Sequence, residues 1–161
     1  CTTGSATARV TRMAELRRMP ATTSSGECVF CAIGTGQAPA AFVHEDDDFV
    51  AIVDLRPVTT GHLLVLPRAH HADLASLPAP AGARMFTIAQ ALAAALRRTD
   101  LQCEAINLFL ADGKAAGQEI PHVHLHVIPR FAGDGFVMNA DWRVRTKEEL
   151  TEVAAKVRAA R

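Results

Sequence analysis

The chain lacks a net charge, because its 17 lysines and arginines are balanced by 17 aspartates and glutamates. Balanced charge provides no electrostatic attraction to a nucleic acid or a membrane surface, so neither is expected as a partner. Charged residues or prolines interrupt every apolar run well before 18 residues, so no transmembrane helix is predicted. The stretch 1–26 is rich in Thr, Ser and Ala and lacks the apolar segment of a secretory signal. A cytoplasmic protein is therefore the default expectation.

The chain also has few cysteines, four in 161 residues, and no internal repeat. In a cytoplasmic protein the pair Cys28-x-x-Cys31 favours a metal site over a disulfide. An apolar content of 49% is enough for one core. We therefore expect a flexible N-terminal tail over 1–26 and a single domain over 27–161.

Hydrophobic periodicity predicts an α+β domain around an antiparallel sheet. One long amphipathic helix is expected over 81–99, and the pattern Thr146-x-x-Glu149 predicts a capped C-terminal helix reaching about residue 160. Residues 27–33 are predicted to form a Cys-x-x-Cys knuckle that enters a short helix, which ends at Gly34-Thr35-Gly36. Strands are predicted over 41–44, 49–53, 62–66, 105–110 and 121–128, with a glycine-rich loop over 111–117.

Histidines occupy alternate positions 122, 124 and 126, and β-forming apolar residues lie between them. Side chains at such spacing share one face of a strand. The unperturbed pKa of histidine lies near neutrality, so one imidazole can act as a nucleophile while another carries a proton. The alternation therefore indicates catalysis. A catalytic metal held by these imidazoles is the rival interpretation.

This pattern, together with four further motifs in the same order, resembles the histidine triad family of nucleotide hydrolases and transferases. The resemblance extends from about residue 27 to about residue 135, with the C-terminal helix as a further part. The motifs are Cys28-Val29-Phe30-Cys31, Asp54-Leu55-Arg56-Pro57, Gly61 to His70, Asp112-Gly113-x-x-x-Gly117-Gln118, and Gln118-Glu119-x-x-His122-x-His124-x-His126.

The resemblance implies attack by a neutral imidazole on the α-phosphorus of a nucleotide and hydrolysis of the resulting nucleotidyl-histidine. His124 is the nucleophile by its position in the motif, and His126 contacts the phosphoryl oxygens or the leaving group. His122 completes the triad. The amide of Gln118 is expected to reach the phosphate or the bridging oxygen.

The resemblance also implies a nucleoside pocket. Asp54 is placed to accept hydrogen bonds from the ribose hydroxyls, although it could instead begin the turn before Pro57. Backbone N–H groups of Glu119 and Ile120 are expected to face the developing charge, with the Glu119 side chain turned away. Four apolar residues are expected to enclose the base, with ordinary core packing as the alternative: Val29, Phe30, Ile52 and Leu55.

A structural zinc ion is the cofactor that the resemblance implies. Zinc-carrying bacterial members have ligands at the positions of Cys28, Cys31, His70 and His122, a set typical of closed structural sites. His71 competes with His70. No role is assigned to His62.

The expected activity is hydrolysis of a purine nucleoside phosphoramidate or a dinucleoside polyphosphate, by a protein that forms a homodimer. Two alternatives are a nucleotide-binding regulator with negligible turnover and a metallohydrolase whose zinc is held by the triad. Ala111 stands where relatives often have Asn or Gln, which leaves the leaving-group preference open.

Overall fold

The computed structural model describes residues 21–161, so most of the tail predicted over 1–26 lies outside the described residues. Within residues 21–161, three helices and five strands follow one another, with a short 3-10 turn at Lys114–Ala116 before the last strand. The helices are α1 (Val29–Gly34), α2 (Ala79–Leu96) and α3 (Lys147–Ala159). The strands are β1 (Phe42–Glu45), β2 (Phe49–Val53), β3 (Leu63–Pro67), β4 (Ala105–Phe109) and β5 (Leu125–Arg130).

The five strands form one antiparallel sheet in the order β1-β2-β3-β5-β4. Strand β3 is central, and every one of its residues is buried. The pairing of β3 with β5 sets Leu64 opposite His126, so the histidine strand lies in the interior of the sheet. The predicted α+β architecture around an antiparallel sheet is confirmed.

The two faces of the sheet bury two separate hydrophobic clusters, because alternate side chains of β2 and β3 point to opposite faces. Ala51 and Val65 face the cluster that packs against α2. Ile52 and Leu66 face the other cluster, which includes Phe30 of α1. Burying a side chain of this size contributes about 1.5–3 kcal/mol. The sheet is therefore packed against α2 on one face and against α1 on the other.

The long helix and the capped C-terminal helix agree with the sequence prediction to within a few residues. Helix α2 spans Ala79–Leu96 rather than 81–99. It begins after Pro78, because a proline inside a helix has no N–H to donate and its ring clashes with the preceding turn. In α3 the Thr146 side chain accepts from the Glu149 N–H while the Glu149 carboxylate accepts from the Thr146 N–H. This is the reciprocal capping that the sequence predicts.

The predicted strand over 121–128 is wrong at its first half. Strand β5 begins at Leu125, and His122 lies in a turn in which its N–H donates to the Ile120 carbonyl at 2.8 Å. The Val123 N–H bonds to the His71 carbonyl at 2.7 Å instead of to a neighbouring strand. Local turn bonds outcompete the ladder here, although alternation in the sequence favours a strand.

Within the described part of the chain, no helix combines the length and the apolar character that crossing a membrane would require.

Candidate active site

His124 lies immediately before β5 and has a defined protonation pattern. Its Nδ1 is 2.7 Å from the His122 carbonyl oxygen, which can only accept, so Nδ1 carries the hydrogen. The lone pair of a neutral ring is then at Nε2. Burial is the main cause that lowers the pKa of His124 below its ordinary value, although the hydrogen bond to His122 opposes it. The geometry therefore presents a neutral imidazole with a free Nε2.

The ring of Phe30 packs edge-on against His124, with 5.0 Å between the ring centroids. His124 keeps 7% of its surface exposed, so the imidazole is enclosed but still reachable. An edge-on aromatic contact orients the ring without competing for its nitrogen.

His126 is oriented by His62, a residue that precedes β3. The Val58 backbone N–H donates to His62 Nδ1 at 3.2 Å, so that nitrogen must be the acceptor. His62 Nε2 then carries the hydrogen and donates to His126 Nδ1 at 2.9 Å. Because Nδ1 accepts this bond, a neutral His126 carries its single N–H hydrogen at Nε2. Asp54 Oδ2 lies 3.3 Å from His62 Nδ1, a contact that is attractive only when that nitrogen carries a hydrogen; in the neutral ring the Val58 N–H fixes the lone pair there.

The two rings of His124 and His126 lie close together, with their centroids 4.9 Å apart. Burial, followed by the nearby His124 and His62, lowers the pKa of His126 to about 4. The pair thus combines a free imidazole lone pair with an adjacent N–H donor, a combination suited to nucleophilic attack and proton transfer.

The sequence assigns no role to His62, whereas the structure places its side chain against His126. Its ring is 2% exposed and bonds directly to the triad, so it is part of the site. No local sequence pattern reveals the contact of His62 with His126, because the two residues are 64 positions apart and meet only through the pairing of β3 with β5.

The four predicted metal ligands converge, with all their ligand atoms within 4.8 Å of one another. His122 Nδ1 lies 3.6 Å from the Sγ atoms of both Cys28 and Cys31, and His70 Nδ1 lies 3.3 Å from Cys31 Sγ. A tetrahedral zinc ion with ordinary bond lengths requires sulfur–nitrogen separations of about 3.6 Å. The residues therefore fit zinc.

The outer contacts of this cluster also suit a metal. His122 Nε2 donates to the Pro67 carbonyl at 2.8 Å, which leaves Nδ1 free toward the sulfurs, as in many zinc sites. Burial is the main cause that raises the pKa of the Cys31 thiol to about 11, and the neighbouring Cys28 adds to it. A cation is what would stabilise both thiolates together. His71, the competitor of His70, is not in the cluster.

The three triad imidazoles do not converge on a shared ligand position in the described residues. His122 belongs to the cysteine cluster, whereas His126 groups with Asp54 and His62. His124 Nδ1 is occupied by a carbonyl. This arrangement does not favour zinc catalysis by the triad.

The polar residues predicted to bind the nucleotide have protein partners in the structure. Asp54 Oδ1 accepts from the Arg56 N–H at 2.8 Å, so the carboxylate does begin the turn and still has Oδ2. Gln118 accepts from the Gly113 N–H and donates to the Ala72 carbonyl, at 2.7 and 2.9 Å. Contact of Gln118 with a phosphate, which stays a prediction, would require exchange of one of these bonds.

The apolar residues predicted to enclose the base differ in exposure. Phe30 and Ile52 are at most 4% exposed and belong to the core cluster that also buries Ile120. Leu55 is 79% exposed and Val29 is half-buried. Without movement, only the last two could touch a base, and their role stays a prediction.

A cavity of about 600 Å³ opens beside the triad. His126, His62 and Asp54 contribute to one wall, and Asn107 and Phe109 of β4 to another. This volume suits a nucleotide-sized ligand. The Glu119 carboxylate at its edge pairs with Arg56, so the side chain has a fixed partner.

Comparison with known proteins gives one consistent family. A family model described as the HIT domain matches residues 35–133. An uncharacterized HIT-like protein of Mycobacterium tuberculosis is 50% identical over 107 residues, which are 66% of this chain and 74% of the relative.

Two further relatives carry more specific names. A solved structure of a Zn-bound histidine triad family protein from Mycobacterium smegmatis is 40% identical, with a TM-score of 0.66 over 83% of this chain and 97% of that one. A protein of Arabidopsis thaliana named an adenylylsulfatase is 34% identical over 113 residues, 70% of this chain and 57% of the relative.

Proposed function

The chain belongs to the histidine triad (HIT) family, and from this premise we propose that it hydrolyses nucleotides at the α-phosphorus through a nucleotidyl-histidine intermediate. The substrate is a purine nucleoside phosphoramidate or a dinucleoside polyphosphate, and the product is a nucleoside monophosphate. The observation that carries the proposal is the free Nε2 of His124 beside the N–H of His126. The adenylylsulfatase name of the Arabidopsis relative supports phosphorus-centred hydrolysis.

In the first step His124 Nε2 attacks the α-phosphorus and a P–N bond to the nucleophile forms. The bond from phosphorus to the leaving group breaks, and the leaving group takes a proton from Nε2 of protonated His126. The other hydrogen of that ring is at Nδ1 and donates to His62 Nε2, so the hydrogen of His62 moves to its Nδ1, which faces Asp54 Oδ2. In the free protein the pKa of His126 is about 4. An anionic phosphoryl group beside the ring raises that pKa again, so substrate binding favours the protonated acid.

In the second step water attacks the same phosphorus, and the bond to His124 Nε2 breaks. His126 takes the proton of the water, so both histidines return to their starting states. Splitting one displacement into two lowers each barrier. The hydrogen bond from His124 Nδ1 to the His122 carbonyl stabilises the positive charge that the ring acquires in the intermediate.

The nucleoside is held by the chain's own polar groups. Asp54 Oδ2 accepts from the ribose hydroxyls. Backbone N–H groups near Glu119 and Ile120 donate to the phosphoryl oxygens, as preorganised donors do elsewhere. Val29 and Leu55 provide apolar contact to the base.

Zinc is proposed as a structural ion held by Cys28, Cys31, His70 and His122. When bound, it joins α1 to the end of β3 and the turn before β5. His122 then orients His124 through its carbonyl while its own ring is fixed. The zinc-bound relative from Mycobacterium smegmatis supports this assignment.

A cytoplasmic homodimer is the proposed state. In the described chain, strand β4 is an edge of the sheet, and Leu108 and Phe109 remain 37% and 44% exposed. Pairing of this edge with a second copy would cover them.

A nucleotide-binding regulator with negligible turnover is the remaining candidate, and one experiment separates the two. AMP phosphoramidate, adenylyl sulfate and diadenosine tetraphosphate are offered to the wild type, to His124→Ala and to a control, His44→Ala, whose ring pairs with Asp46 away from the triad. AMP release by the wild type and the control, but not by His124→Ala, supports the proposal. AMP binding without any turnover would support the regulator instead.

A further inference from the structure

Arg56 and Glu119 form an ion pair across the mouth of the cavity. Arg56 Nη2 donates to the Glu119 carboxylate, joining the loop after β2 to the loop before β5, 63 residues apart. The side chains keep 36% and 49% of their surface exposed. The pair therefore sits where a substrate can reach both charges.

The pair determines the charge that the cavity presents. Among the described residues that line it, Arg56 is the only lysine or arginine, and it faces two carboxylates, those of Glu119 and Asp54. In the free protein His126 is neutral because burial lowers its pKa, and its protonation beside a bound phosphoryl group is common to all substrates. With Arg56 neutralised by Glu119, the lining is left with a net negative charge.

A negatively charged lining repels leaving groups more strongly the more negative charge they carry. The phosphoryl group that is attacked is common to all substrates, so it does not discriminate between them. An amine leaving group carries no negative charge, sulfate carries two, and a polyphosphate chain carries more. A carboxylate close to the leaving group repels the last class most, since its charges lie in a partly enclosed site.

We propose that the Arg56–Glu119 pair determines leaving-group specificity by neutralising the cavity's cation, so that nucleotides with an uncharged amine leaving group are preferred over polyphosphates. This inference rests on the proposed function and narrows its substrate class. It also assigns a role to the Glu119 side chain, which the sequence interpretation turned away from the site.

The test measures kcat/KM for three adenylates graded by leaving-group charge: AMP phosphoramidate, adenylyl sulfate and diadenosine tetraphosphate. The variants are Glu119→Gln, Arg56→Gln and the control Lys156→Gln, whose lysine is paired with Glu152 on α3. Glu119→Gln frees Arg56 and is expected to raise the tetraphosphate-to-phosphoramidate ratio about five- to tenfold. Arg56→Gln lowers the same ratio by a similar factor, adenylyl sulfate shifts less, and the control leaves the ratio unchanged.

The wild type provides a measurement that needs no variant. Its preference for the phosphoramidate should weaken as salt rises from about 0.05 to 0.5 M, because partly exposed charges are screened. A wild-type preference for the tetraphosphate, or ratios equal in all three variants, would overturn the inference.

Failure of the proposed function would give a different result from failure of this inference, namely no turnover of any adenylate. If no adenylate turns over, calorimetric affinities for AMP and ATP replace the rates, since the extra phosphates of ATP occupy the leaving-group position. Glu119→Gln should then tighten ATP binding relative to AMP by the same factor. An unchanged ATP-to-AMP ratio would refute the inference even in a protein without turnover.

Discussion

His62→Leu should impair catalysis without removing any group that touches substrate. The ring of His62 is buried and bridges the Val58 N–H and His126 Nδ1. Leucine fills a similar space but leaves the Val58 N–H unpaired and His126 Nδ1 without a donor. His126 can then place its hydrogen on either nitrogen.

The magnitude follows from the lost hydrogen bonds. One such bond biases the two protonation patterns of His126 by about 1 kcal/mol, equivalent to about a fivefold change in population. We therefore expect kcat to fall about five- to tenfold and KM to change little. Complete loss of the proton donor in His126→Ala should lower kcat about 10²- to 10⁴-fold. The unpaired Val58 N–H should lower the free energy of unfolding by about 1–3 kcal/mol.

The assay is the pH profile of AMP release from AMP phosphoramidate. The nearby His62 is one of the causes that lower the pKa of His126. Its removal should move the pH profile of kcat to higher pH, which a purely structural defect would not do. His62→Gln retains an N–H donor toward His126 and should recover part of the rate. Wild-type kcat with an unshifted profile in His62→Leu would refute this reasoning.

Three further results are expected. Freshly purified protein should contain about one zinc per chain, and His70→Ala should lose it. Metal analysis and thermal melting measure the loss, with His71→Ala as the control. Full zinc content in both variants would contradict the ligand set. In zinc-free protein the pKa of His126 is depressed to about 4, so below about pH 6.5 the unfolded state binds a proton that the folded state does not. The free energy of unfolding should therefore fall by up to about 3 kcal/mol as the pH drops toward 4. Urea titrations of the wild type and His126→Leu test this, since equal pH slopes would reject it. Gly61→Ala should destabilise by more than 1 kcal/mol, because Gly61 has φ +92° and its Cβ would lie 3.0 Å from Leu101 Cδ1; an unchanged denaturation midpoint would contradict that.

Local patterns were sufficient for most of the fold. Helical periodicity predicted α2 and reciprocal capping predicted α3, because both depend on residues close in sequence. Alternation failed at the start of β5, where tertiary contacts, such as the Val123 N–H to His71, replace the strand ladder.

The site was predictable where family motifs specify residue types, as at the two cysteines and His122. It was not predictable where a contact depends on long-range pairing. Neither His62 beside His126 nor Arg56 beside Glu119 is visible from spacing, because 64 and 63 residues separate the partners.

The central claim is that His124 forms a covalent bond to the nucleotide, and rapid quenching tests it most directly. The protein is mixed with a radiolabelled adenylate, quenched in base, where phosphoramidate bonds survive, and digested for mass spectrometry. We expect an adenylylated peptide that contains His124 and disappears in His124→Ala. Steady AMP release with no labelled protein at any quench time would contradict it.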